Sequence, residues 1–259
     1  MMGDERWQVI TGDCLEVMPT LAAGSVDAIL TDLPYGTTAC SWDSVIPFEP
    51  MWAAVKHVLK PRGVFVTTAS QPFTSALVMS NPKWFKYEWV WNKDRATGHL
   101  DATRRPMRKH ENITVFSQNG HTYNPQIADK PIENIRPVSR RAASANYGKY
   151  KEYAERGIPL DKTYPQTVLQ INTANIGERG IHPTQKPVAL YEYLIRTYTN
   201  EGELVLDMCA GSGTTGVAAI NTGRRVICIE QREDYADIAR ARIAKAAEQA
   251  RQLALPDME

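Results

Sequence analysis

Seven short apolar runs rich in β-branched and aromatic residues punctuate the chain: QVITGD (8–13), VDAILTD (26–32), GVFVTTA (63–69), YEWVWNK (87–93), ENITVFS (111–117), ELVLDMC (203–209) and RVICIE (225–230). They alternate with helical patterns, which predicts a parallel sheet covered by helices. Between the second and third runs, Phe48, Met51, Trp52, Val55, Val58 and Leu59 recur at helical spacing, and KPRG (60–63) then stops the helix. After HPTQKP (182–187), Val188, Tyr191, Leu194, Ile195 and Tyr198 trace one face of a second helix. An Ala-rich helix from about Glu233 to Arg251 is expected to turn Tyr235, Ile238 and Ile243 inward. The stretch from Gln118 to Ile181 breaks the alternation, being rich in Asn, Pro and Tyr, weakly periodic and basic. A long irregular segment inside a compact domain is usually functional or disordered. It reads as an insertion on the loop side of the sheet.

Composition narrows this picture. A chain of 259 residues suits one large domain, or one domain with an inserted module, and 43% hydrophobic residues suffice for a sizeable core. MMGDERWQVI carries no basic flank before an apolar stretch, and no apolar run approaches the length of a membrane span. Cys14, Cys40, Cys209 and Cys228 are scattered without zinc-binding spacing, so no metal is expected and a reducing cytoplasm fits. The net charge of +1 hides an asymmetry: Lys93 to Arg156 holds thirteen Lys/Arg against seven Asp/Glu, leaving the rest of the chain at −5. Such a middle segment suits a polyanionic partner.

Two stretches carry candidate chemistry. TDLPYGTT (31–38) ends a strand with an acid, a proline and an aromatic residue, which alone predicts no more than a turn. ELVLDMCAGSGTTG (203–216) runs a strand into Gly211, Gly213 and Gly216 and then into a helix, with Glu230 ending the next strand. That spacing literally matches the dinucleotide fingerprint, which would make the protein a nicotinamide or flavin enzyme. Asp207 argues otherwise. Four residues before Gly211, its carboxylate costs Coulomb energy beside a pyrophosphate and gains about 1–4 kcal/mol beside a cation. A P-loop is excluded because no lysine follows the glycines. A nucleoside with a cationic arm satisfies both acids, with Glu230 on the ribose hydroxyls. S-adenosylmethionine is such a molecule.

These residues resemble the β-group of site-specific, amino-methylating (N6-adenine or N4-cytosine) DNA methyltransferases. Asp32, Leu33, Pro34 and Tyr35 look like the catalytic tetrad, and Cys209, Ala210, Gly211, Ser212 and Gly213 like the cofactor loop. The tetrad precedes the loop, with room for a target-recognition region between them. GDCLEVMPTL (12–21) is similar to the motif that contacts the cofactor's adenine, and HPTQKP to the segment over its methionine end. WNK and RKHENITVFS look like strands flanking the base pocket.

The resemblance implies an α/β, Rossmann-like S-adenosylmethionine-dependent methyltransferase fold. Its mostly parallel seven-stranded sheet would carry helices on both faces, in circularly permuted motif order. Residues 1–117 would form the catalytic half, 118–181 the target-recognition insertion and 182–259 the cofactor half. Cofactor contacts are implied for Asp13, Cys14, Thr184, Gln185, Lys186, Asp207, Cys209, Ala210, Gly211, Ser212, Gly213, Thr214, Thr215 and Glu230. The partner would be double-stranded DNA, and the protein a monomer or homodimer. Arg104, Arg105, Arg108, Lys109, Arg140 and Arg141 are candidate DNA contacts, mostly to phosphates.

Leu33 stands where the family has proline, and Cys209 where it has an aromatic residue. Leucine keeps the backbone carbonyl that accepts from the target amino group but lacks the fixed φ. The target base must leave the stack to be reached. Asp32 and the Leu33 carbonyl would draw its amino nitrogen toward tetrahedral geometry, while Tyr35 stacks on the ring. In this family an acid at the head of the tetrad favours adenine N6.

Overall fold

The computed structural model describes residues 5–36, 44–131, 133, 158–173 and 185–254. It divides into two compact units, Met1–Asn124 with Thr167–Glu259, and Pro125–Gln166.

The larger unit is built on one eight-stranded sheet, in the order β1-β10-β9-β2-β3-β5-β4-β8. In chain order its strands are β1 (Trp7–Thr11), β2 (Val26–Asp32), β3 (Leu59–Ala69), β4 (Phe85–Thr97), β5 (Arg108–Phe116), β8 (Val168–Gln170), β9 (Leu204–Asp207) and β10 (Arg225–Glu230). From β1 to β3 every neighbouring pair is parallel. β5 runs against both β3 and β4, and β8 lies parallel to β4. The helices are α1 (Cys14–Val17), α2 (Phe48–Val58), α3 (Phe73–Ser80), α4 (Val188–Tyr198), α5 (Thr214–Asn221) and α6 (Glu233–Ala254).

Strand period explains the layers. Side chains alternate across a sheet, and here both sets are apolar. Ala28, Leu30, Val64, Val66, Val205 and Cys228 face a core shared with α4, α5 and α6. Ile29, Phe65, Leu206 and Ile229 face the opposite core, closed by α1, α2 and α3. A sheet buried on both faces is expected for parallel strands.

The sheet has eight strands rather than the expected seven. The addition, β8, lies inside the stretch read as irregular insertion: three residues are too short to display a period. The second compact unit is correspondingly shorter than 118–181. KPRG does not separate helix from strand either, because Leu59–Gly63 is already part of β3. The β2–β3 register shifts there, between Val26↔Leu59 and Ala28↔Val64, and Gly63 leaves room for it, since a Cβ would lie 2.8 Å from Leu59 Cδ2. In α6 the inward face is Ala236, Ala239, Ile243, Ala246 and Ala247, whereas Tyr235 and Ile238 are half-buried. The cause is close packing: a Cβ on Gly213 would meet Ala239 Cβ at 2.8 Å, and one on Gly216 would meet Ile243 Cδ1 at 2.3 Å.

In the smaller unit, β6 (Ala128–Asp129) and β7 (Lys162–Thr163) form an antiparallel pair. It is tied by the Lys162–Asp129 ion pair and by Lys130 N–H donating to the Asp161 carbonyl at 2.7 Å.

Candidate active site

The chain leaves β2 for β3 on one side of the sheet and leaves β9 for β10 on the other. β2 and β9 are neighbours, so the topology reverses between them, and the carboxyl ends of strands flanking such a reversal form a crevice. Asp32 ends β2 and Asp207 ends β9. Thr31 Oγ1 donates to Asp207 Oδ1 at 2.7 Å, linking the two ends directly. Both acids line one cavity of about 990 Å³, together with Asp13, Cys14, Leu33, Pro34, Tyr35, Gln185, Lys186 and Glu230. Cys209, Ala210, Gly211, Ser212, Thr214 and Thr215 line it too.

On the glycine-loop wall, backbone does most of the shaping. Gly211 and Gly213 hold φ of +51° and +80°, which favour glycine, and Gly213 precedes the first residue of α5. Gly211 N–H donates to Glu230 Oε2 at 2.7 Å and Arg232 N–H to Oε1 at 3.0 Å. Each Glu230 oxygen keeps a further lone pair for a ligand. Asp13 caps α1 by accepting from Leu15 N–H at 2.8 Å.

Asp207 is 3% exposed, and burial pushes its carboxyl up to about 6 against the lowering effect of the Thr215, Thr31 and Cys209 donors. A carboxylate short of water in this way favours a cationic neighbour. Gln185 Oε1 accepts from Ser212 Oγ at 3.5 Å, while its buried Nε2 has no hydrogen-bond acceptor among the described residues. An orphaned buried donor is costly, and it suits an anionic group on the same ligand. Cys14 is buried and Cys209 half-buried, and the hydrogen bond with the Cys14 thiol, then burial, keeps Cys209 well above the usual thiol range.

The opposite wall is made of side-chain charge. Asp32 Oδ1 accepts from Tyr35 Oη at 2.8 Å and from the Thr68 hydroxyl, delivered by the neighbouring strand β3. Asp32 Oδ2 accepts from Lys186 Nζ at 2.6 Å. Lys186 also stands 3.5 Å from Glu111 Oε2, and Glu111 Oε1 is held by Lys93 Nζ at 3.1 Å. The Tyr35 ring packs on Phe73, with centroids 5.3 Å apart. Burial, then the Asp32 and Glu111 charges, hold its phenol well above the usual range, so it remains a hydrogen-bond donor. Leu33 is 3% exposed and anchored in the α1–α3 core. That anchorage restrains the turn where the family's proline would fix φ.

Lys186, expected at the cofactor's methionine end, lines this cavity and pairs with Asp32. Arg104 and Arg105 are exposed in the β4–β5 connection, and Arg108 and Lys109 at the start of β5; Arg108 lines the cavity and donates to Ser70 Oγ at 3.3 Å. Arg105 pairs with Asp101. Thr184, Arg140, Arg141 and Cys40 lie outside the described residues. Sequence reading missed the ionic roles of Lys93 and Glu111 and the hydroxyl of Thr68. Lys93 and Glu111 sat in quoted segments, but pairing them requires the β4–β5 register that sets Trp91 opposite Glu111. Among the described residues, no group of acids, histidines and cysteines is placed to hold a metal, and no helix is long and apolar enough to cross a membrane.

Residues 26–241 match a family model described as DNA methylase. The DNA adenine methyltransferase YhdJ of Escherichia coli (strain K12) is 30% identical over 254 residues, covering 90% of this chain and 81% of that protein. The crystal structure of an M1.HpyAVI–SAM complex aligns with a TM-score of 0.61 at 24% identity, over 91% of this chain and 99% of that one. PvuII DNA methyltransferase, cytosine-N4-specific, aligns with a TM-score of 0.64 at 16% identity, over 95% of this chain and 92% of that one. The two structural likenesses bear on the fold, which is the Rossmann-like methyltransferase fold.

Proposed function

The chain belongs to the DNA methylase family, and from that premise we propose that it methylates the N6 amino group of an adenine turned out of double-stranded DNA. The observation that carries this reading is that the end of β2 and the glycine loop after β9 line one cavity, the two strand ends being joined by the Thr31–Asp207 hydrogen bond. S-adenosylmethionine, when bound, supplies a methyl group on a cationic sulfur, open to in-line displacement by an amino nitrogen.

The glycine-loop wall fits that molecule. Glu230 offers lone pairs to ribose hydroxyls, buried Asp207 favours the cationic arm, and Gln185 Nε2 offers its unused N–H to a carboxylate. Asp13 closes the adenine side. On the target wall, Asp32 and the Leu33 carbonyl accept from the amino group. An exocyclic amine is a poor nucleophile because its lone pair is delocalised into the ring. Two acceptors holding both N–H bonds turn that lone pair toward the methyl group, and the gain is electrostatic and positional. Asp32 need not be a strong base, because the methylated nitrogen is cationic and sheds its proton readily. Tyr35 offers a ring for stacking, worth about 1–3 kcal/mol.

Adenine is favoured over cytosine by the acid at position 32. Arg104, Arg105, Arg108 and Lys109 are assigned to phosphates, which makes binding fall steeply with salt. The segment 118–181 is assigned to target recognition.

One assay tests the whole reading: incubation with methyl-labelled S-adenosylmethionine and DNA, followed by digestion and identification of the labelled nucleoside. N6-methyladenine is expected. N4-methylcytosine would overturn the choice of base. DNA binding without label would overturn the activity, and tight NADH binding without transfer would restore the dinucleotide reading.

A further inference from the structure

We propose that the Lys186 ammonium is a resident stand-in for the substrate's amino group, holding Asp32 until the target base arrives and then passing to Glu111. This rests on the methyl-transfer reading above and deepens it.

The positions coincide. Asp32 Oδ1 is held twice, by Tyr35 and Thr68, which leaves Oδ2 as the oxygen for a substrate amine. Lys186 Nζ already donates to Oδ2 at 2.6 Å. The same nitrogen lies 5.6 Å from the centroid of the Tyr35 ring, over the ring assigned to stacking. An arriving base therefore meets the lysine both at its amino group and at its ring. Something must move.

The structure also supplies a destination. Glu111 Oε2 is buried and, among the described residues, has no hydrogen bond of normal length, yet Lys186 Nζ stands 3.5 Å from it. Glu111 cannot turn that oxygen away freely, because Lys93 Nζ grips Oε1 at 3.1 Å and is itself buried. A shift of the ammonium by about 1 Å would bring it to normal hydrogen-bonding distance of Oε2. The lysine would keep its proton throughout: burial opposes the charge, but Asp32 and Glu111 together outweigh it, and the amine is held above its ordinary range. Only a second carboxylate lets Asp32 exchange a cation for a neutral amine without stranding a buried charge. Glu111 and Lys93 become positioning residues, acting through Lys186.

A plain structural ion pair would occupy the same coordinates, so the test compares combinations. Glu111→Gln keeps a carbonyl for Lys93 but removes the anionic destination. Lys186→Met removes the traveller and leaves two carboxylates facing each other. Single-turnover methyl transfer, the KM for duplex DNA and the Kd for S-adenosylmethionine are measured for each variant and for the pair combined. Expected is at least a tenfold slower transfer for either single variant, with a raised KM for DNA and a cofactor Kd within twofold of the parent. The combined variant should be faster than either single one. Additive losses in the combined variant would overturn the inference, and so would a cofactor Kd that rises with Lys186→Met. Should the variants fail to fold, the side-chain NMR signal of Lys186 in the unaltered protein decides. It should shift when target duplex is added and stay put with cofactor alone; no shift with duplex would refute the exchange. If the unaltered protein labels no DNA at all, the functional reading fails; if it labels DNA but the variants combine additively, only the exchange fails.

Discussion

The two walls of the cavity are built by opposite means. The glycine-loop wall is nearly contiguous chain: Asp207 to Thr215, closed by Glu230, with shape set by backbone N–H groups and two left-handed glycines. The wall around Asp32 is assembled from side chains far apart in sequence, and the Asp32–Lys186 pair alone spans 154 positions. One wall holds its two acids, Asp207 and Glu230, in a frame of backbone, and the other is itself a network of side-chain charges. Substitutions on the first should therefore act through affinity or folding, and those on the second through rate.

Asp32→Ala breaks the comparison most sharply if it fails. Transfer should fall on the order of 10³-fold, with cofactor Kd unchanged by isothermal titration. Retained turnover would remove Asp32 from its role. Gly213→Ala comes next, because φ is +80° and the new Cβ would stand 2.9 Å from Ala239 Cα. A stability loss of about 2–3 kcal/mol should appear in thermal melts, along with weaker cofactor binding.

Asp207→Asn should raise the cofactor Kd about tenfold, the equivalent of one charge interaction of about 1.4 kcal/mol. The pH dependence sharpens this. With its pKa raised to about 6, Asp207 is ionised above that pH and attracts a cation. Below it the group is protonated and the attraction is lost. The parent's Kd should then climb below pH 6 and level off roughly tenfold higher by about pH 5, meeting the Asn variant, which stays flat over that range. Tyr35→Phe should have the smallest effect, since the ring on Phe73 remains and only the donor to Asp32 is lost. A rate loss of about fivefold corresponds to one hydrogen bond.

The same contrast governs what was legible in advance. The glycine loop could be read because its geometry is local: strand, left-handed turns and helix follow one another without interruption. RVICIE and the α4 repeat likewise keep their read boundaries, Arg225–Glu230 and Val188–Tyr198. The network of Lys93, Glu111, Lys186 and Thr68 was not legible, because no spacing reports a contact made through sheet register. β8 escaped notice for its length, and α3 because FTSALVMS is apolar on most sides and shows no clear stripe. The pairing of Lys186 with Asp32 was not legible in HPTQKP, because a long side chain places its charge well away from its own backbone.

The Thr31–Asp207 bond has a consequence for how such a protein could diverge. It joins adjacent strands, whose spacing of about 4.8 Å is a property of every sheet. The gap between donor and acceptor is thus measured by a ruler that no loop can stretch. Retargeting to another base or another DNA word is a matter for the segments above the strand ends, and the reach of the transferred carbon would be inherited unchanged.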